Sequence, residues 1–348
     1  MSHFQQLELF SNLFARNKMN ENYFARGKLL LTGEYLVMNG ASSIVLPLKF
    51  GQKLVVSHLT SDNNNLIYWK AYESGELWFQ SLIDKNTLDS TGFSNNEINN
   101  KVIRLLSAIK RISPAIFRFN GSLNLDFDMN FDRNWGFGSS STMISLISQW
   151  AGVDPYELYY TIYNGSAYDI AASFANQPIL YSIQNKIPEI SEARFNPSFS
   201  QSLFFVYIGR KQSTEDEIAY INRRNGKHEK TARMISDISR QVLTCNTLSD
   251  FEQLMTKHEN IVSDFLERPS VMEQHFSDYD VGIVKSLGAW GGDFVLMTCS
   301  QGRGHLANYL KKKGLNVIFE YNKLIYYPEA GNIKNETGRE IISERHNP

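Results

Sequence analysis

Apolar residues along this chain recur with two different periods, and the switches between them outline its elements. Strand-like runs are expected over 28–38, 43–48 and 53–59, the last with some alternation, before a turn at 62–65. After the Asn-rich loop 94–100, the helical period appears at Ile98, Val102, Leu105, Ile109 and Ile112. A strand over 121–127 leads into a glycine-rich loop, a helix over 155–163 ends near Asn164-Gly165, and a strand follows over 179–183. Ahead of all this, residues 1–22 carry amphipathic spacing at Leu7, Phe10, Leu13 and Phe14 and read as an extension or docking helix.

The polar, proline-containing stretch 185–200 separates two halves. A fresh strand over 203–208 follows it, then Thr214-Glu215-Asp216-Glu217 as a capping-box pattern opening a helix. Helices are expected over 230–243, 250–266 and 303–313, a strand over 294–297, another over 316–320, and a final hairpin over 323–327. Strands and helices in this arrangement argue an α+β fold with domains at 23–190 and 200–335.

Composition narrows the function classes. The 348 residues are 42% hydrophobic and 13% aromatic, enough for a large core, and a net charge of −1 provides no basic field for nucleic acid or an anionic membrane. Lys311, Lys312 and Lys313 read as a solvated helix end. Cys245 and Cys299 show no paired spacing, no run approaches a membrane span, and residues 1–18 make a poor signal peptide. A cytoplasmic protein acting on a small molecule is expected, as a monomer or homodimer. The histidines show no ligand spacing, and His258 and His305 read as surface residues on helices.

The chemistry concentrates at Asn134-Trp135-Gly136-Phe137-Gly138-Ser139-Ser140-Ser141-Thr142, where two glycines and four hydroxyls run into the apolar-periodic residues Met143, Ile144, Leu146, Ile147 and Trp150. Glycines let backbone N–H groups approach an anion, and the following helix directs its positive dipole end to the same point. No Lys follows Gly138, so this is not a Walker A loop, and the third glycine of a dinucleotide fingerprint is missing.

Three further segments accompany that loop: Gly27-Lys28-Leu29-Leu30-Leu31-Thr32-Gly33-Glu34, then Gly165-Ser166-Ala167-Tyr168-Asp169-Ile170-Ala171, then Lys285-Ser286-Leu287-Gly288-Ala289-Trp290-Gly291-Gly292-Asp293. In this order the set resembles the GHMP kinase superfamily, the small-molecule kinases of galactose, homoserine, mevalonate and phosphomevalonate. The last two strings look most like phosphomevalonate kinases, and Tyr35, where mevalonate kinases commonly carry histidine, leans the same way. The resemblance implies an N-terminal domain like ribosomal protein S5 domain 2, a ferredoxin-like C-terminal domain, and an active site between them. It also implies ATP and Mg2+ as cofactors and a place in isoprenoid precursor synthesis, with mevalonate kinase, a sugar kinase and a non-catalytic ATP-binding homologue as the alternatives.

Carried over motif by motif, the resemblance places Gly136, Gly138, Ser139 and Ser140 around the triphosphate, with Ser140 also on magnesium. Lys28 and Asp169 fall beside the phosphoryl acceptor as catalytic residues, and Glu34, Gly288, Ala289 and Gly291 on the substrate side. Glu157 and Asp154 are both open as a further magnesium carboxylate. An acceptor bearing a carboxylate and a phosphate asks for several cations, and Lys28, Lys101, Arg104, Lys211 and Lys285 form the pool. Plainer readings stand beside these: Lys28 as a strand-edge lysine, though its place between Gly27 and Gly33-Glu34 favours function, Asp169 as a helix cap with equal weight by its residues alone, and Asp293 as structural. Four residues depart from the family pattern: Arg26 for proline, Ser141 and Thr142 for a pair of alanines, and Trp290 within the late glycine run, where an indole stands as a threat to the pocket.

Overall fold

In the computed structural model, which describes residues 20–59, 64–92, 97–209, 228–288, 290 and 292–328, the chain forms two units that interleave along the sequence. One holds Gly51–Arg133 and Ser139–Asn164 with the start of the described chain; the other holds Arg26–Phe50, Asn134–Gly138 and the residues from Gly165 on. Strands β1 (Glu21–Leu30) and β2 (Ser43–Leu59) each begin in one unit and end in the other.

The first unit is a sheet with a helical layer. Strands β3 (Leu66–Glu73), β4 (Glu76–Asp84), β5 (Ser90–Gly92) and β6 (Ser122–Met129) join the latter part of β2 in the order β5-β4-β3-β6-β2. Only the β3–β6 pairing is parallel. Period-2 alternation decides the faces: Ile67, Trp69 and Ala71 are buried while Tyr68, Lys70 and Tyr72 stay half-exposed, and the Trp69 ring stacks on Phe127 of β6 at 4.4 Å. Helices α1 (Glu97–Ile112), α2 (Ser139–Ala151) and α3 (Pro155–Ile162) pack on one another and bury Val102, Leu105, Leu106 and Ile109 from α1 and Ile144, Leu146, Ile147 and Trp150 from α2.

The second unit contains the first part of β2, paired antiparallel with β7 (Ile179–Gln184), which continues as a hairpin into β8 (Ile187–Glu192). It also contains an antiparallel sheet of β9 (Leu203–Tyr207), β10 (Val284–Leu287), β11 (Phe294–Thr298) and β12 (Ile318–Glu320), in the order β10-β11-β9-β12. Its helices are α4 (Tyr168–Phe174), α5 (Glu229–Val242), α6 (Leu248–Leu266), α7 (Val271–His275), α8 (Gly302–Lys312) and α9 (Tyr321–Leu324). One cluster joins Phe204, Val206, Val295 and Met297 to Leu306 and Leu310 of α8, and a second joins Tyr35, Leu36 and Ala41 to Ile235, Val262, Leu266 and Trp290.

Several local expectations give way. The strand expected over 28–38 ends at Leu30, because Gly33 and Tyr35 take positive φ (92° and 62°) and turn the chain into a short 3-10 helix at Leu36–Asn39. A Cβ at Gly33 would lie 1.8 Å from the Ser43 hydroxyl, so the turn needs glycine for space as well as conformation. The runs expected over 43–48 and 53–59 form one continuous strand, and the polar stretch 185–200 contributes β8. The hairpin expected over 323–327 is instead α9 followed by an isolated bridge from Ile325 to Leu48. The extension 1–22 up to residue 19, and the capping-box helix at 214, lie outside the described residues.

Candidate functional site

Lys28 sits near the end of β1, and its surroundings are built by the glycine loop. The Lys28 backbone N–H donates to Phe137 O at 3.0 Å, and its ammonium Nζ donates to Gly136 O at 2.9 Å. Gly27 permits this approach, since a Cβ there would lie 3.1 Å from Phe137 O and 3.3 Å from Phe50 O. The residues between the glycines anchor the loop: Phe137 is fully buried, its ring stacked on Phe294 at 4.9 Å, with Phe50, Trp135 and Phe319 edge-on or tilted around it. Aromatic anchors alternate with glycines, so the loop is fixed by its side chains.

Two acids and a phenol surround the Lys28 ammonium. The Tyr168 ring centroid lies 5.6 Å from Nζ, and α4 carries Asp169 in its first turn after Ala167 in the left-handed region (φ 58°). Burial works to discharge Lys28, but the hydroxyl of Tyr168 and the carboxylates of Asp169 and Asp293 outweigh it and hold its pKa above the ordinary lysine value. Burial raises the Tyr168 pKa in turn, so the phenol keeps its proton beside a charged amine. Lys28 and Asp169, far apart in sequence, are thus brought into one electrostatic neighbourhood within the second unit.

Ser139 and Ser140 open α2, directly after Gly138, whose φ is 91°. Ser140 is exposed, whereas Ser141 and Thr142 are buried, and Thr142 Oγ1 donates to Gln52 Oε1 at 2.9 Å. The departure from alanine at these two positions therefore faces inward. Asp154 is the N-cap of α3, its Oδ1 accepting from the backbone N–H groups of Tyr156 (2.7 Å) and Glu157 (3.0 Å), while Glu157 itself is exposed in the first turn. Among the described residues no cluster of three or more His, Cys, Asp or Glu side chains is placed to hold a metal ion.

Glu34 lies in a buried ionic cluster. Its side chain is 2% exposed, and Oε1 accepts from Lys285 Nζ at 2.6 Å; Lys285, 1% exposed, also donates to Ser286 O. His258, expected at the surface, is fully buried: Nε2 accepts the Gly33 N–H at 2.9 Å and stands 3.4 Å from Glu34 Oε2. Glu259 accepts the Ser286 N–H. Burial pushes the Glu34 carboxyl up to about 7 against the opposing pull of Lys285, raises Glu259, and holds His258 well below its ordinary value. The helical spacing carried a signal for the last two, because Phe251, Met255, His258, Glu259, Val262 and Leu266 share the buried stripe of α6.

Gly288 follows β10 at φ 72° with open space where a Cβ would stand, and Ala289 and Gly291 lie outside the described residues. Trp290 is 3% exposed and packs with Tyr35, Ile235, Val262 and Leu266. Its backbone N–H donates to Tyr35 Oη at 2.6 Å and its indole N–H to Pro269 O at 3.1 Å. A cavity of about 480 Å³ along α6, lined by Glu252, Thr256, Lys257 and Asn260, involves none of these groups.

No family model and no curated protein sequence matches the chain. Solved structures do. The Methanococcus jannaschii mevalonate kinase superposes with a TM-score of 0.62 at 16% identity, over 90% of this chain and 100% of that one. Streptococcus pneumoniae phosphomevalonate kinase, in complex with phosphomevalonate and AMPPNP, gives 0.62 at 13% identity, over 86% and 99%. Lactococcus lactis galactokinase complexed with galactose gives 0.59 at 12% identity, over 94% and 98%. The chain has the two-domain α+β fold of the GHMP kinases.

Proposed function

We propose that this protein is an ATP- and magnesium-dependent kinase of a small molecule, with phosphomevalonate as the acceptor. The observation that carries the reading is the Lys28 centre: an ammonium kept charged, hydrogen-bonded to the carbonyl of a positive-φ glycine and flanked by Asp169. Phosphoryl transfer asks mainly for positioning and for charge stabilisation as negative charge spreads over the migrating group. Gly136 and Gly138 at positive φ, with the start of α2 and the exposed Ser140, fit a triphosphate at a helix N-terminus. Magnesium usually keeps few protein ligands, so Ser140 and the exposed Glu157 would suffice, Asp154 having one oxygen committed to its helix. The bound ion supplies neutralisation of phosphate charge.

Lys28 would stabilise the transferring group, and Asp169 would orient the lysine and the acceptor. A phosphate acceptor is already ionised and needs no base; an alcohol acceptor would give its proton to Asp169. The strings Gly165-Ser166-Ala167-Tyr168-Asp169-Ile170-Ala171 and Lys285-Ser286 with Gly291-Gly292-Asp293 support phosphomevalonate. One observation favours an alcohol acceptor such as mevalonate or a sugar instead: Lys285 is buried against Glu34, which removes a cation from the pool a doubly anionic acceptor asks for. Trp290, the residue that prompted a non-catalytic reading, packs in the core.

A coupled assay of ATP consumption across phosphomevalonate, mevalonate and sugars tests this. Turnover of phosphomevalonate is expected, with Lys28→Ala and Asp169→Ala each losing most of it and retaining ATP binding. Turnover of mevalonate with none of its phosphate reassigns the acceptor; ATP binding with no turnover of any acceptor overturns the kinase.

A further inference from the structure

We propose that Asp293 is a positioning residue whose carboxylate fixes Lys28 and Gly136 against each other. The inference rests on the kinase reading only for the use to which Lys28 is put. Asp293 stands between the late glycine run and β11, and its backbone carbonyl accepts the Ile208 N–H at 2.9 Å, which ties the residue to the end of β9. From there its carboxylate occupies the space beside Gly136: a Cβ on Gly136 would lie 2.0 Å from Asp293 Oδ2. The next residue, Phe294, stacks on Phe137. Asp293 and Phe294 therefore brace two consecutive loop residues, one through charge and one through a ring.

Lys28 bonds the same residue, donating from Nζ to Gly136 O at 2.9 Å. An ammonium on the carbonyl and a carboxylate at the α-carbon of one glycine attract each other across it. The groups facing Lys28 are Tyr168 and Asp169 from α4 and Asp293 from the β11 side, and each favours the charged amine. A side chain at position 136 would have to displace the carboxylate.

The test measures Lys28 itself. In the full-length protein, the rate of Lys28 modification by an amine-reactive reagent, followed by peptide mass spectrometry, is recorded against pH for wild type and Asp293→Asn. Only the neutral amine reacts, so losing the carboxylate should move the midpoint to lower pH and speed labelling severalfold at a fixed pH. In turnover, Asp293→Asn should lower kcat, shift its alkaline limb the same way and leave the KM for ATP nearly unchanged. Gly136→Ala, which pushes the carboxylate aside, should reproduce the labelling shift if the Asn variant does not fold, and Asp293→Glu should restore part of it. An unchanged midpoint in the folded variants overturns the proposal. A shifted midpoint in a protein that phosphorylates nothing keeps the tie and ends the kinase reading, so the two failures are distinguishable.

Discussion

Two lysines of the second unit meet the cost of burial in opposite ways. Lys285 is withdrawn almost completely from solvent and its charge is consumed by a direct bond to Glu34 at 2.6 Å and to a backbone carbonyl. Lys28 is only partly buried, bonds a neutral carbonyl, and is kept charged by Tyr168, Asp169 and Asp293 together. A buried ammonium bonded directly to a buried carboxylate has little left to offer a ligand; an ammonium held by surrounding groups keeps a field that an incoming phosphate can share. On this ground the proposed function takes the first cluster as architecture and the second as the site.

The sharpest break of this comparison is Lys285→Met. It should cost about 3–5 kcal/mol of stability in urea unfolding, because Glu34 and Glu259 stay buried without the cation that offsets their desolvation. If stability holds and acceptor KM rises instead, Lys285 belongs to the substrate site. Lys28→Met should do the reverse, lowering kcat by roughly 10²–10³-fold with a small change in melting temperature. A large loss of stability there would make Lys28 another structural lysine.

Glu34→Gln refines the picture through pH. The folded Glu34 pKa is raised to about 7 from 4.5, so the folded state holds this proton more tightly than the unfolded chain. Its contribution to stability is full below pH 4.5 and is lost as pH rises to 7, on the order of 3 kcal/mol at most. His258, held neutral by burial, acts oppositely below its ordinary range, so the informative quantity is the difference between variants. The melting temperature of Glu34→Gln relative to wild type should rise between pH 5 and 8; a flat difference would mean that Glu34 titrates like an exposed carboxylate. The smallest effect is expected of Tyr35→Phe, which leaves the buried Trp290 N–H without its acceptor and should cost about 1–3 kcal/mol in the same unfolding experiment.

Much of this could be read along the chain. Helices at Glu97–Ile112, Leu248–Leu266 and Gly302–Lys312 and the strand Phe294–Thr298 follow from periodicity, and the ordered glycine motifs pointed to the GHMP kinase fold that the solved structures share. Lys28 and Asp169 were legible because their motifs surround them with glycines and helix-start residues. The capping box of Ser270 and Glu273, which opens α7, was missed in the sequence although its residues carry the pattern. Asp293 was not legible, since nothing in its own neighbourhood announces that Gly136 stands against it.

The amino-acid order alone fixed where the chain runs straight or coils, because hydrophobic period, caps and positive-φ glycines act over a few residues. Folding in three dimensions decided what each charge is for. Glu34 and Lys285 stand 251 positions apart, and His258 meets Gly33 across 225. Whether a carboxylate or amine faces water, a partner or a ligand depends on which distant segment closes over it, and desolvation and Coulomb energy, unlike helical period, have no local signature.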